Sequence, residues 1–351
     1  MKHIIKFSGG KDSEAAALTV LNTVPREDIR LVFCDTGWEH PDTYQFIQEF
    51  GEAVGLPITM VRNPKYSAGM PDLVRARKRF PALRARFCTE ALKVQPGIDY
   101  VLAQTDDVTV YQGVRADESL ARRLLKRKDE YFRYYFEPVK FRGKYDKKIN
   151  RLKKKLAKSH AGEGQQALFG NSIAQELAEW EQKNLRTLTP VFHTYRRKDV
   201  VAWCDKYSAD VERPVITWTA GEVISYILGQ GFKLNPLYYR GAKRVGCYPC
   251  INSSLSEVAS IAENDPWRID EIDDLEKEIG SGSAFFSNDK IPKAFHTGVW
   301  APKKGDGPAN TVNYIHDVVG YVQRHKDQAE LLDKACSTTG CISHYNICEN
   351  R

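Results

Sequence analysis

The chain has 351 residues, 42% of them hydrophobic and 28% charged, with 52 Lys and Arg against 45 Asp and Glu and a formal charge of +7. That length suits one large domain with additions, or two domains, and the composition is that of a soluble globular protein. No apolar run reaches the roughly 18 residues of a membrane span, and the N-terminus enters a strand without a signal-peptide pattern, so a cytoplasmic protein with no membrane partner is expected.

The first element is a short apolar run, His3-Ile4-Ile5-Lys6-Phe7, and directly behind it stands Ser8-Gly9-Gly10-Lys11-Asp12-Ser13. Two glycines after a strand let the backbone turn tightly and aim its N–H groups at one point. Ser and Lys add donors, and Glu14-Ala15-Ala16-Ala17-Leu18 starts a helix whose positive end faces the same spot. This is a cradle for phosphate. It is not a Walker A loop, which needs G-x-x-x-x-G-K-[ST].

Strand-like runs at 3–7, Ile29–Cys34, Pro57–Val61 and Val108–Val114 alternate with helical stretches near 13–23 and 41–55. Such alternation predicts right-handed βαβ units and an α/β fold, a parallel twisted sheet flanked by helices. Ligands in these sheets bind outside the carboxyl ends of the strands. The SGGKDS loop, Cys34-Asp35-Thr36-Gly37 and Gly113-Val114-Arg115 all follow strand ends, so three signals converge on one rim.

The stretch 124–187 has a different character. Between Lys140 and Lys158 ten Lys or Arg stand against one acid, Asp146, and Tyr131, Phe132, Tyr134 and Tyr135 come just before them. A basic helical insertion is expected there, with Ser159–Asn171 as a polar linker and a short helix over Ile173–Asn184. That charge density suits nucleic-acid phosphates, and neighbouring aromatics suit unpaired bases; a solvated helix face is the plainer reading. An acidic helical patch (Asp265–Glu278) and a C-terminal helix (Thr311–Ala335) follow. The expected parts are a core at 1–123, the insertion at 124–187, the rest of the core at 188–260 and a helical C-terminal region at 261–351.

Eight cysteines in a reducing compartment do not read as a disulfide framework. Cys34 and Cys204 read as buried residues. Cys247 and Cys250 form a C-x-x-C pair, which by itself fits zinc, an iron–sulfur cluster or a redox dithiol. Cys88 stands alone, and Cys336, Cys341 and Cys348 lie in a polar tail.

The SGGKDS loop resembles the PP-loop of ATP pyrophosphatases, which hold the β,γ-pyrophosphate while the α-phosphorus is attacked and release AMP and pyrophosphate. Four further segments resemble the phosphoadenosine-phosphosulfate (PAPS) reductase family of PP-loop proteins. They are Asp35-Thr36-Gly37-Trp38-Glu39-His40-Pro41, Arg86-Phe87-Cys88 through Lys93 to Pro96, Gly113-Val114-Arg115-Ala116-Asp117-Glu118-Ser119 with Arg122, and Arg213-Pro214 through Asn235-Pro236-Leu237-Tyr238 to Cys250. The resemblance covers about 1–122 and 213–251; the basic insertion and the C-terminal third lie outside it.

The resemblance implies ATP as cofactor, with Lys11 neutralising pyrophosphate, Ser8, Gly9, Gly10 and Ser13 cradling it, and Asp12 helping to hold Mg2+. Asp35, with Thr36 and Gly37, suits Mg2+ or a ribose hydroxyl, or simply caps the next helix. Arg115, behind Gly113, offers a fork to phosphate. Glu118 belongs to the same motif and equally makes a surface pair with Arg122. Lys93 would stabilise charge on the transferred group, or is an exposed lysine.

Reductases of this family that carry a [4Fe–4S] cluster use a Cys-Cys pair and a C-x-x-C; here only Cys88, Cys247 and Cys250 correspond. A cluster completed by a tail cysteine or keeping one open iron, zinc, or plain thiols including a persulfide carrier all follow. The intact loop argues that ATP is consumed. The expected function is therefore an ATP pyrophosphatase that adenylates an oxygen, expected to be that of a nucleic-acid phosphate with DNA favoured, for replacement by sulfur from a cysteine desulfurase or other donor, as in DNA phosphorothioation. A PAPS or adenylyl-sulfate reductase is the first alternative, and a non-catalytic nucleotide-sensing nucleic-acid-binding protein the second.

Overall fold

The computed structural model describes residues 1–82, 85–159, 166–280, 282–300 and 310–325, with backbone only at 158–159, 166–171 and 310. Ten strands are found among them: β1 (Lys2–Lys6), β2 (Ile29–Cys34), β3 (Ile58–Val61), β4 (Val108–Gln112), β5 (Lys128–Glu130), β6 (Lys140–Arg142), β7 (Thr189–Val191), β8 (Ala209–Glu212), β9 (Gly298–Trp300) and β10 (Asn310–Val312). Six of them form the central sheet in the order β3-β2-β1-β4-β8-β5. Neighbours from β3 to β8 run parallel, and β5 closes the edge antiparallel to β8. The expected α/β class, with a mostly parallel sheet flanked by helices, is the observed one.

The strands form where the sequence offers apolar residues to both faces. Leu31, Val32 and Phe33 in β2, and Val108 and Val110 in β4, are all buried, as strands covered by helices on two sides require. Helices follow the strands with clear start and stop signals. The helix Lys11–Leu21 opens behind Gly10. The helix Pro41–Val54 has proline in its first turn, a cap from His40, whose ring accepts from the Asp42 N–H, and a left-handed stop at Gly55. One core gathers Phe7, Ala16, Leu18, Phe46, Phe50 and Ile227 between sheet and helices.

A second core holds the chain's C-terminal helices, Leu255–Asn264, Pro266–Ile279 and Ile315–Arg324, against Trp38, Leu73 and Leu92. Thr311, expected to open a helix, lies instead in β10, because Asn310–Val312 pairs with β9 and the helix begins only after Tyr314. Residues 326–335 of that expected helix, and Cys336, Cys341 and Cys348, lie outside the described residues.

The chain divides into two compact units, Phe132–Lys206 and the remainder. Against expected insertion boundaries of 124 and 187, the unit therefore starts and ends later. Residues 128–130 belong to the central sheet as β5, while Phe132 packs with Tyr135 and Trp203. Within the unit, β6 pairs with β7, and the helices Asp146–Ser159 and Gln166–Leu185 share a small core of Ile149, Leu152 and Leu177. The second helix begins inside the stretch read from sequence as a linker. Among the described residues no helix is long and apolar enough to cross a membrane.

Strand order reverses between β1, whose next strand in sequence is β2, and its other neighbour β4. In an open α/β sheet that switch point leaves a crevice at the strands' carboxyl ends. The SGGKDS loop follows β1 there, and Gly113 follows β4.

Candidate functional site

The loop after β1 is shaped by its own small residues. Gly9 has φ +74°, and a Cβ there would press on Thr43 and Ile47. The Ser13 hydroxyl accepts from the Ser8 N–H at 3.0 Å and donates to the Gly10 carbonyl at 2.8 Å, with the Ser8 hydroxyl 3.0 Å away. Both serines expected on pyrophosphate thus also fix the turn. Gly113 explains how β4 approaches: an added Cβ would lie 2.3 Å from the Asp12 carbonyl and the Ser13 nitrogen. Lys11 is buried under the segment 238–245. Its N–H donates to the Tyr238 hydroxyl at 3.1 Å, and its ammonium lies 3.4 Å from the Lys243 carbonyl and 5.1 Å from the centre of the Tyr238 ring.

Three charged groups join the two strand ends. Arg115, 2% exposed, donates through Nε to Asp12 at 2.6 Å and through its terminal nitrogen to Asp117 at 2.6 and 2.7 Å. The fork read from sequence as a phosphate ligand is engaged by two carboxylates, and Asp12, read as the Mg2+ ligand, has one oxygen on it. Glu118 accepts from the Arg115 N–H at 3.2 Å and pairs with Arg122. Arg115 therefore also positions Asp12 at the loop.

Asp35, at the end of β2, is a buried hub. One oxygen accepts from the Gly37 N–H and the Tyr44 hydroxyl, both at 2.8 Å, and the other accepts from Arg62, including Nε at 3.2 Å. Burial, with Glu39 and Asp35 nearby, raises the Tyr44 phenol and keeps it neutral. Gly37, at φ +62°, lets the segment 66–70 close in, since a Cβ would lie 2.4 Å from the Ala68 carbonyl. Asp35-Thr36-Gly37 is thus a braced platform whose carboxylate is held by protein donors. Arg62 went unread in the sequence because nothing local marks it as the partner of a carboxylate 27 residues earlier.

Beside this platform lie the thiols. Glu39, buried, accepts from the Thr36 hydroxyl at 2.7 Å and from the Thr36 and Trp38 N–H groups. Its backbone bridges to Cys247, and the Tyr248 N–H donates to the Trp38 carbonyl at 2.7 Å. The Thr36 hydroxyl lies 3.6 Å from the Cys247 sulfur. Cys247 holds the half-buried Lys93 ammonium above its usual range against the opposing effect of burial, helped by Glu39. Burial pushes the Cys88 thiol up to about 11, reinforced by Cys247 and Cys250. The Cys247 thiol rises for the same reason, with Lys93 pulling the other way. Burial lowers Arg86, and Cys250 and Cys88 oppose it.

Cys88, Cys247, Cys250 and Lys93, which are scattered in sequence, thus fall in one neighbourhood. Among the described residues, however, no group of three or more His, Cys, Asp or Glu side chains is placed to hold a metal ion. No step is therefore routed through an iron–sulfur cluster. A pocket of roughly 200 Å³ opens next to them, lined by Arg240, Lys243, Arg244, Cys247, Cys250 and Ser256 among others.

The nucleotide-loop geometry and the thiol-bearing loop together agree with the comparisons. The phosphoadenosine phosphosulfate reductase domain family matches residues 2–253. The chain belongs to that family. Among its relatives, an uncharacterized 37.8 kDa protein in the gpa 5′ region of Escherichia phage 186 is 26% identical over 83% of this chain and 80% of its own length. The uncharacterized nin region protein ORF290 of Escherichia phage lambda is 31% identical over 34% of this chain and 49% of its own length. A solved PAPS reductase from Candida auris, in a phosphate complex, is 11% identical with a TM-score of 0.38, covering 71% of this chain and 83% of that one. PAPS reductase domains are largely enzymatic and nucleotide-binding, and this member keeps the loop for it.

Proposed function

We propose that this PAPS reductase family member is an ATP pyrophosphatase that adenylates an oxygen so that sulfur can replace it, a nucleic-acid phosphate, DNA by preference, being the acceptor. The observation that carries the reading is that the loop which would hold ATP and the loop which bears the thiols are one built site. Lys11 reaches the carbonyl of Lys243, Glu39 bridges to Cys247, and Lys93 stands beside it.

In this reading the β- and γ-phosphates settle on the loop amides behind β1, with Lys11 neutralising the leaving pyrophosphate. Mg2+ would be shared between the ATP phosphates and Asp12, whose carboxylate Arg115 orients, and would offset charge on the departing group. The acceptor oxygen bonds to the α-phosphorus as the bond to pyrophosphate breaks. A persulfide, loaded onto a cysteine thiol by sulfane transfer from a cysteine desulfurase or another persulfide donor, then attacks the acceptor's phosphorus and displaces AMP. An external thiol reductant cleaves the resulting S–S bond to free the phosphorothioate and the cysteine. Cys247 is the thiol we assign to receive that sulfur, because the Lys93 ammonium beside it offsets part of the burial that raises its thiol.

Turnover of ATP with chromatography of the products tests the first half. AMP and pyrophosphate, lost on Lys11→Ala, are expected. ADP and phosphate, or tight ATP binding without turnover, contradict it.

A further inference from the structure

The cations of the helix Asp146–Ser159 sort into two sets. At ~100° per residue, Tyr145, Ile149, Leu152 and Leu156 form one stripe, and it is this stripe that packs with Leu177, Ile173 and Trp180 of the helix Gln166–Leu185. Lys148 and Lys153 flank the stripe and are partnered across the hairpin. Lys148 lies 3.2 Å from Glu176 and 3.6 Å from the centre of the Trp180 ring, and Lys153 lies 2.7 Å from Glu181. Lys147, Arg151 and Lys154 project from the opposite side, and Lys155 lies at the edge of that face, about 90° from the stripe. All four are exposed, and among the described residues none has an ion-pair partner.

The helix itself places no acid on that face. The helix's one carboxylate, Asp146, is turned back to accept from the Gly143 N–H at 2.9 Å and the Asn184 amide at 2.7 Å. Lys147 and Lys154 are two helical turns apart, about 10 Å along the axis, a length over which a nucleic-acid strand offers more than one phosphate.

The aromatic residues expected to stack bases point to the form of nucleic acid. Phe132 and Tyr135 are buried, edge to face with each other, with Phe132 also packed on Trp203. The Tyr131 hydroxyl accepts from Lys6 at 2.8 Å. Those three serve the fold, Tyr134 is the exposed one of the four, and the cationic helix itself carries no aromatic residue. Single-strand binding relies on exposed aromatic platforms, whereas a bare cationic stripe serves phosphate contacts to a stacked duplex.

We infer that the face of the helix Asp146–Ser159 carrying Lys147, Arg151, Lys154 and Lys155 docks the phosphate backbone of duplex nucleic acid without reading its sequence. This deepens the proposed function by naming how its acceptor is held. It is tested without ATP, so either can fail while the other stands.

The test is binding of the full chain to a fluorescent duplex DNA as salt is varied, comparing the parent with K147Q/R151Q/K154Q/K155Q. Gln keeps helix propensity at exposed positions, and circular dichroism and the melting midpoint check the fold. If each cation contacts one phosphate, the slope of log K against log salt becomes shallower by about 3.6. Between about 50 and 200 mM salt the parent then loses about 150-fold more affinity than the variant. Lys148→Gln, on the flank, leaves the slope unchanged. An unchanged slope in the fourfold variant, an equal effect from Lys148→Gln, or a loss seen only with single-stranded DNA overturns the inference. So does a loss seen only with phosphatidylserine vesicles, which would assign the face to a membrane surface.

Discussion

Replacing Glu14 by Gln should flatten the pH dependence of this protein's stability. Glu14 lies in the first turn of the helix behind the SGGKDS loop, is fully buried, and neither carboxyl oxygen has a hydrogen-bond partner among the described residues. Burial pushes its carboxyl up from 4.5 to about 8. Between those values the folded chain keeps a proton that the unfolded chain has released, so stability falls as pH rises. It levels off once the folded carboxyl also ionises. Each pH unit in that window removes about 1.4 kcal/mol, so the whole window is worth about 4–5 kcal/mol. Gln cannot ionise and should lack this slope while its unpartnered amide costs a similar amount at every pH. Urea unfolding of both proteins at about pH 5, 6.5 and 8.5 reads the difference directly. The two should be close at the lowest pH and diverge in favour of the variant as pH rises. Parallel profiles would mean that Glu14 finds water or a cation, and would refute the reasoning.

Three further outcomes follow from the site. Gly113→Ala would set a Cβ against the Asp12 carbonyl and Ser13 nitrogen, backbone that cannot swing aside, so a loss of about 3 kcal/mol or more in stability and weaker ATP binding are expected by thermal melting and calorimetry. Arg62→Met leaves the buried Asp35 with the Tyr44 hydroxyl and the Gly37 N–H as its partners among the described residues, and should lower stability by about 2 kcal/mol in denaturant titrations. Cys88, pushed up to about 11 against an ordinary 9.0, should react with iodoacetamide at pH 8 about 100-fold more slowly in the native protein than in urea, as peptide mass spectrometry over time would show.

The sequence carried β1 to β4, the helices behind β1 and β2, and the meeting of the SGGKDS loop with Gly113 and Arg115, because these depend on local pattern and on strand ends lying together. It did not carry β8 or β5. Ala209–Glu212 buries one apolar side chain, Val211, and Lys128–Glu130 has none, so neither shows the alternation that marks a strand. Nor could it say what a charged side chain faces. Asp35 and Arg115 read as ligands to a nucleotide, yet both are engaged by protein groups, Asp12 being 103 residues from Arg115. Local spacing holds no record of such pairings. The aromatic cluster at 131–135 was ambiguous in the same way, since burial, which decides between stacking platform and core, is set by distant Trp203.

The cysteine neighbourhood was legible as a set, through the order of its segments, but not in its electrostatics. That Lys93 and Glu39 both face Cys247 follows from the loop 241–250 folding over the end of β2. The same fold places Lys11 below that loop, so a substitution at Tyr238 or Lys243 would touch both halves of the site.

The most direct measurement is the fate of label from ATP carrying 32P in the γ position, incubated with the protein, Mg2+ and duplex DNA. The account requires the label to leave in pyrophosphate, with AMP formed in equal amount and neither product from Lys11→Ala. Label released as orthophosphate with ADP left behind would contradict it.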